Sequence, residues 1–348
     1  MKKIVLKTCL TSLFLSMSAL AAANVAITVP TSAQNFYSDH SAIAGAALSV
    51  AAGSCIENDV AAQAAVTIGA NATAHNLYAG AAATVGADSD VENVYAGAAA
   101  GLAANATAFN IYAGAAVTLG APSDALDIEA GAAITLGAGS TARDVYAGAA
   151  TTGATVRAAN VYGNIISGNV DSIGLIANSA VNNSGYIDVM APFAMQDALD
   201  AITAAQVDLT DHATSDNTPN DLTDANEYVL GTYMGSATET TTLAGGVYEA
   251  SALNMPADAT IEFTGPAIIN LSDALTLGAN TTIKDGGHQV IWNVGGALNL
   301  GAGTEFAGTA FVNGSISGAT SDVQTGGHLY AQGAVAIGSI GDTSTGCQ

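Results

Sequence analysis

Two sets of residues in this sequence could do chemistry: 29 acids and five histidines. Paired carboxylates in a cleft would hydrolyse a glycosidic bond, and a carboxylate beside a histidine would serve general acid–base catalysis. Their spacing supports neither. The acids recur at regular intervals or gather between Asp208 and Glu227, and His40, His75, His212, His288 and His328 form no triad or metal-ligand pattern. The acidic stretch lacks the spacing of an EF-hand loop and reads as a solvated connector rather than a calcium site. The expectation is a chain without catalysis, cofactor or metal.

Hydroxyls do fall into a pattern. Thr67, Thr84, Thr118, Thr135 and Thr152 are spaced by multiples of one interval, and segments such as Val117-Thr118-Leu119 alternate as a short strand with its middle residue turned outward. The same interval governs the phrase Asn-Val-Tyr-Ala-Gly. Tyr78, Tyr95, Tyr112, Glu129, Tyr146 and Tyr162 follow one another by four steps of 17 residues and one of 16. Each unit alternates in three short bursts interrupted by Gly or Asn, which describes strands of a few residues joined by tight bends. The predicted fold is an all-β solenoid, a roughly triangular β-helix of about 17-residue coils, with one long α-helix packed alongside.

Alternation assigns three faces. On the first, Tyr78, Tyr95, Tyr112 and Tyr146 point outward beside Gly80, Gly97, Gly114, Gly131 and Gly148, a glycine groove that invites a cover. The second carries the threonines between an alanine column, Ala65, Ala82, Ala99, Ala116, Ala133 and Ala150, and glycines at Gly69, Gly86, Gly120 and Gly137. The third runs Thr73, Asp90, Thr107, Asp124, Thr141 and Ala158, a solvated wall. Asp59, Asn76, Asn93, Asn110, Asp127, Asp144 and Asn160 stack at a corner, where their side chains can satisfy bent backbone. The interior expected from Val, Leu, Ile and Ala is a narrow tube.

The candidate cover is a helix over residues 192–209, with Phe193, Met195, Leu199, Ile202 and Val207 at loosely helical spacing. Its length matches six stacked coils, so it is expected to lie along the tyrosine face. Residues 1–23 read as a secretory signal peptide, because Lys2, Lys3 and Lys7 precede a short apolar run ending in small residues. The expected divisions are then an N-terminal repeat segment over 24–190, the helix and acidic connector over 191–241, and a C-terminal solenoid segment over 242–348.

Removal of the signal leaves Arg143, Arg157 and Lys284 against all 29 acids, which argues against nucleic acid or anionic membrane as partners. The location expected is extracellular or periplasmic. In such an oxidising compartment Cys55 and Cys347, the two thiols left, could form one disulfide.

The C-terminal segment contains "LAGGVYEAS", "ATIEFTGPAIINLSDALTLG" and "VIWNVGGALNLGAGTEFAGTAFVNGSISGATSDVQTGGHLYAQGAV". In that order these phrases resemble the secreted ice-binding protein-like family, many of whose members are microbial antifreeze proteins. The resemblance covers roughly residues 185 to 340 and implies a discontinuous β-solenoid with a flanking helix. His328 and Gln332 stand where the family often has arginines, and the 17-residue array is longer and more regular than the family's usual N-terminal part.

The resemblance implies ice as the partner and draws attention to the uncharged second face. Thr there offers a hydroxyl and a methyl on a stiff χ1, and the plane extends through Thr276, Asn299 and Ser317, with Ala336 as its expected end. The rival reading is a structural or adhesive solenoid of a surface layer, fibre or biofilm matrix. Self-association stays open, and carbohydrate binding through the tyrosines is a third alternative.

Overall fold

The computed structural model describes residues 32–33, 39–176, 194–215, 240–318, 324–325 and 327–338, with backbone only at 150, 152–176, 211–215 and 324–325. All paired strands run parallel, as a solenoid requires. Coils do not stack in chain order. The stack begins at strand Gly246–Ala250 and passes through Ala267–Leu271, Val290–Val294, Thr309–Val312 and Leu329–Ala331. There it meets His40–Ala44, which pairs with both Leu329–Ala331 and Asp59–Ala62, and continues to Thr141–Ile176. The C-terminal segment thus winds up to the first coil of the N-terminal segment, and the two form one continuous β-solenoid.

The segments fill their interiors differently. N-terminal coils repeat every 17 residues, as side-chain contacts between neighbouring coils show, and their apolar core is aliphatic, with residues such as Leu77, Val94, Ile111 and Leu119. C-terminal coils are longer, with equivalent residues up to 23 apart, and enclose Trp292 against Phe263 and Phe306 at ring separations of 5.8 and 5.7 Å. The narrow aliphatic tube expected throughout therefore holds only for the N-terminal half. The extra residues per turn widen the C-terminal cross-section enough for aromatic rings.

The helix spans Met195–Ser215 rather than 192–209, and Pro192 and Phe193 lie outside the described residues. Met195, Ala198, Leu199, Ile202, Ala205 and Leu209 form its buried stripe, whereas Val207 faces outward. It packs on the first face as expected, but over Ile268, Ile291, Phe311, Tyr330, Ile43 and Ala61, with Tyr78 at its margin. Tyr95 and Tyr112 are left to stack on one another. The helix follows apolar bulk and hydrogen-bond partners: Gln332 donates to the Leu199 carbonyl at 2.7 Å, and Asn270 donates to that of Leu209 at 3.1 Å. His328 bonds the His40 carbonyl at 2.8 Å, so both residues that replace arginines find polar partners.

The glycines beside the tyrosines form no groove for a cover. A β-carbon at Gly80, Gly114 or Gly148 would overlap the carbonyl of the coil beneath, so these positions are small because the backbone turns a corner against itself.

Candidate functional site

The second face is built from strands of three residues. In Val117–Leu119, Ile134–Leu136 and Val66–Ile68 the outer two side chains are buried and the middle one is exposed. Period-two alternation over so short a strand leaves one outward residue per coil, and parallel pairing sets these in line. The column runs Asn254, Thr276, Asn299, Ser317, Ala336, Ser49, Thr67, Thr84, Gly101, Thr118, Thr135 and Thr152. At a strand spacing of about 4.8 Å it is on the order of 50 Å long.

Each expected site residue falls on this one line, although Thr152 is placed by its backbone alone. The expected end at Ala336 is corrected, because Ala336 pairs with Ser317 on one side and Ser49 on the other. It is the seam between the two segments. Asn254 and Ser49 also belong to the column and were not anticipated, since chain order hides that Ser49 follows Ala336 in space.

Small residues flank the column throughout. On one side lie Ala274, Ala297, Ser315, Ala334, Ala47, Ala65, Ala82, Ala99, Ala116 and Ala133, each accepting a backbone bond from the coil before it. On the other lie Gly278, Gly301, Ala51, Gly69, Gly86, Ala103, Gly120 and Gly137. The glycines follow from crowding: a β-carbon at Gly69, Gly86, Gly120 or Gly137 would collide with the backbone of the preceding coil. No residue of these three columns is charged.

Buried hydroxyls brace the edge of the plane. Ser89 and Ser140 donate to the carbonyls of Gly69 and Gly120, each at 3.0 Å, and Thr281 and Thr304 donate to those of Gly278 and Gly301, each at 2.7 Å. The chain then turns through left-handed residues, among them Asn71, Asp88, Asn105, Asp258 and Asn280, at φ between 56 and 63°. Asn and Asp tolerate that conformation better than other side chains bearing a β-carbon. The inward Ser column was missed because Ala72 and Ala106 occupy the same position in alternate coils and read as core.

Hydroxyl and amide groups differ in use along the column. Asn299 donates to Thr276 at 3.4 Å and accepts from Ser317 at 2.8 Å, so the C-terminal part is a side-chain ladder. Thr67, Thr84 and Thr118 are exposed, and among the described residues no side-chain hydrogen bond engages them.

The other faces are polar or aromatic. Asn76 donates to Asp59 at 2.9 Å, Asn93 to Asn76 at 2.7 Å and Asn110 to Asn93 at 2.8 Å, so this corner column is a hydrogen-bonded ladder. Tyr78, Tyr95 and Tyr112 stack at 5.0 and 5.2 Å, and burial pushes their hydroxyl pKa values up. Glu129 continues that column, and burial raises its carboxyl pKa as well.

Cys55 is disulfide-bonded; Cys347, its expected partner, lies outside the described residues. Among the described residues no group of three His, Cys, Asp or Glu side chains converges as a metal site would require. His212 and the acidic stretch from Asp208 to Glu227 fall largely outside the residues whose side chains are described.

Compared with known families, residues 172–341 match the Ice-binding-like family. No curated protein matches the chain in sequence. Among solved structures, it is similar to the ice-binding protein of an Antarctic ascomycete, Antarctomyces psychrotrophicus. The identity is 16%, with 65% of this chain and 92% of that one covered, at a TM-score of 0.32.

Proposed function

We propose, from a chain whose residues 172–341 match the ice-binding-like family, that the whole protein adsorbs to ice through its second face. The observation that carries this reading is the unbroken column from Asn254 to Thr152, continued across the seam at Ala336 and Ser49. A rigid plane of short side chains can hold ordered water with little further cost in conformational freedom when it meets a crystal. Threonine suits it, because β-branching fixes χ1 and so places each methyl and hydroxyl at the strand repeat. None of the residues named in the three columns carries a charge, which would bind water more tightly and in other orientations. The proposed action is adsorption and involves no bond making.

Export fits such a role, with residues 1–23 as leader and ice outside the cell as the target. A disulfide joining Cys55 to Cys347 in the mature chain fits the same compartment, and thiol titration of denatured, unreduced mature protein should then find none. The functional test is thermal hysteresis and ice shaping by the purified mature chain and two variants. Thr118→Tyr should lose most activity because the ring stands out of the plane. Asp124→Tyr, on the third face, should keep it. If the unmodified protein neither shapes ice nor slows its growth, a structural or adhesive solenoid becomes the better account.

A further inference from the structure

The third face of the N-terminal segment carries two outward columns. One reads Thr73, Asp90, Thr107, Asp124 and Thr141, and the other His75, Glu92, Phe109, Leu126 and Arg143, whose guanidinium is paired with Asp127 and Asp144. Between them runs a shallow groove of about 580 Å³, floored by Ala74, Val91, Ala108 and Ala125. Phe109 is 56% exposed and Leu126 40%, whereas the aromatic rings of the C-terminal core are buried. Nothing among the described residues covers them.

We propose that this groove binds an extended β-1,4-linked glycan carrying free amines. Charge complementarity calls for a cationic occupant: Asp90, Glu92 and Asp124 line the groove, and the chain beyond its leader has only three basic residues, so a second copy would be repelled. Of these acids Glu92 already faces His75 at 3.2 Å, which leaves Asp90 and Asp124 as the exposed acceptors. Each accepts one hydrogen bond from the threonine a coil further on, Thr107 and Thr141, which fixes its carboxylate and leaves acceptor capacity for a ligand.

Periodicity selects a glycan over a peptide. Asp90 and Asp124 lie two coils apart, about 9 to 10 Å at strand spacing. An extended β-1,4-linked chain turns over at every sugar, so like substituents return to the same side every second residue, at nearly that interval. An extended peptide returns to the same side at only about 6 to 7 Å. Phe109 occupies the coil between the two acids, where a sugar ring can lie on its face while the ammonium groups of its neighbours reach Asp90 and Asp124.

Calorimetric titration at low salt tests this, using a fully deacetylated glucosamine hexamer, its N-acetylated form and a neutral β-1,4-glucose hexamer. The amine form should bind, and the other two should bind at least about tenfold more weakly. Asp90→Asn and Asp124→Asn, which keep the threonine bonds, and Phe109→Ala should each weaken binding about tenfold while leaving circular dichroism unchanged. Asp208→Asn on the exposed side of the helix should have no effect. Equal affinity for the three hexamers, loss with Asp208→Asn equal to that with Asp90→Asn, or no binding at all would overturn the proposal.

Discussion

The two segments of the solenoid solve the same problem with different means. The N-terminal coils are uniform, narrow and aliphatic. The C-terminal ones vary in length, hold Trp292, Phe263 and Phe306, and carry the helix on their first face. Yet both present a three-residue strand on the second face, as Val117–Leu119 and Leu298–Leu300 show. All variation in coil length is absorbed elsewhere. Conservation of shape on that face, despite different cores behind it, is what a flat binding plane demands and what a merely stable solenoid would not.

If the two segments act as one body, a charge at their seam should damage both. Ile43 is fully buried under the helix in the first N-terminal coil, in register with Tyr330 of the last C-terminal one. Ile43→Asp leaves an unpaired carboxylate there and should cost about 3 kcal/mol or more. Urea denaturation should show an earlier midpoint, with loss of ice shaping in step. An unaltered midpoint would mean that the seam contributes little.

A second experiment ranks the halves against each other. Thr135→Tyr should remove most thermal hysteresis, because it interrupts the all-small, regular part of the plane. Thr276→Tyr should remove less, since Thr276 already belongs to the side-chain ladder with Asn299 and Ser317. Equal losses would show that the whole column works as one unit.

Gly101 offers a gain rather than a loss. It is the one gap in the N-terminal threonine run, between Thr84 and Thr118, and a β-carbon there meets no atom within 4 Å. Gly101→Thr should raise thermal hysteresis modestly, and stability should rise by up to about 1 kcal/mol from the lost freedom of glycine. A fall in activity would indicate that the gap is used.

The smallest effect concerns the tyrosine column. Burial raises the Glu129 carboxyl pKa in the folded state, so its contribution to stability is fully present below the unfolded pKa and is lost as pH rises through the folded one. Glu129→Gln should remove that fall across mildly acidic pH, measured as a flatter profile of melting temperature. Because Glu129 is only partly buried, the change is expected to be small. Ice shaping should not respond, since none of the described residues in the outward column is titratable.

What the sequence disclosed and what it hid follow one physical line. Alternation places Thr67, Thr84, Thr118 and Thr135 outward from local information alone, and parallel pairing then aligns them. Ser49 escaped notice because its neighbour Ala336 belongs to the distant segment, whereas Asn254 pairs with Thr276 in its own segment, where the repeat is looser in sequence. The helix was legible from its apolar spacing, but its seat was not, since Ile43, Phe311 and Tyr330 come together only after both segments stack. The glycines were seen but given the wrong cause: crowding between coils, not space for a partner, keeps Gly80 and Gly114 small.

The central claim, that this plane adsorbs to ice, is tested most directly by partition into a slowly growing ice front. The unmodified mature chain should be enriched in the ice, and Thr118→Tyr should stay in the liquid with an unchanged melting temperature. Exclusion of both proteins, or equal uptake of both, would contradict it.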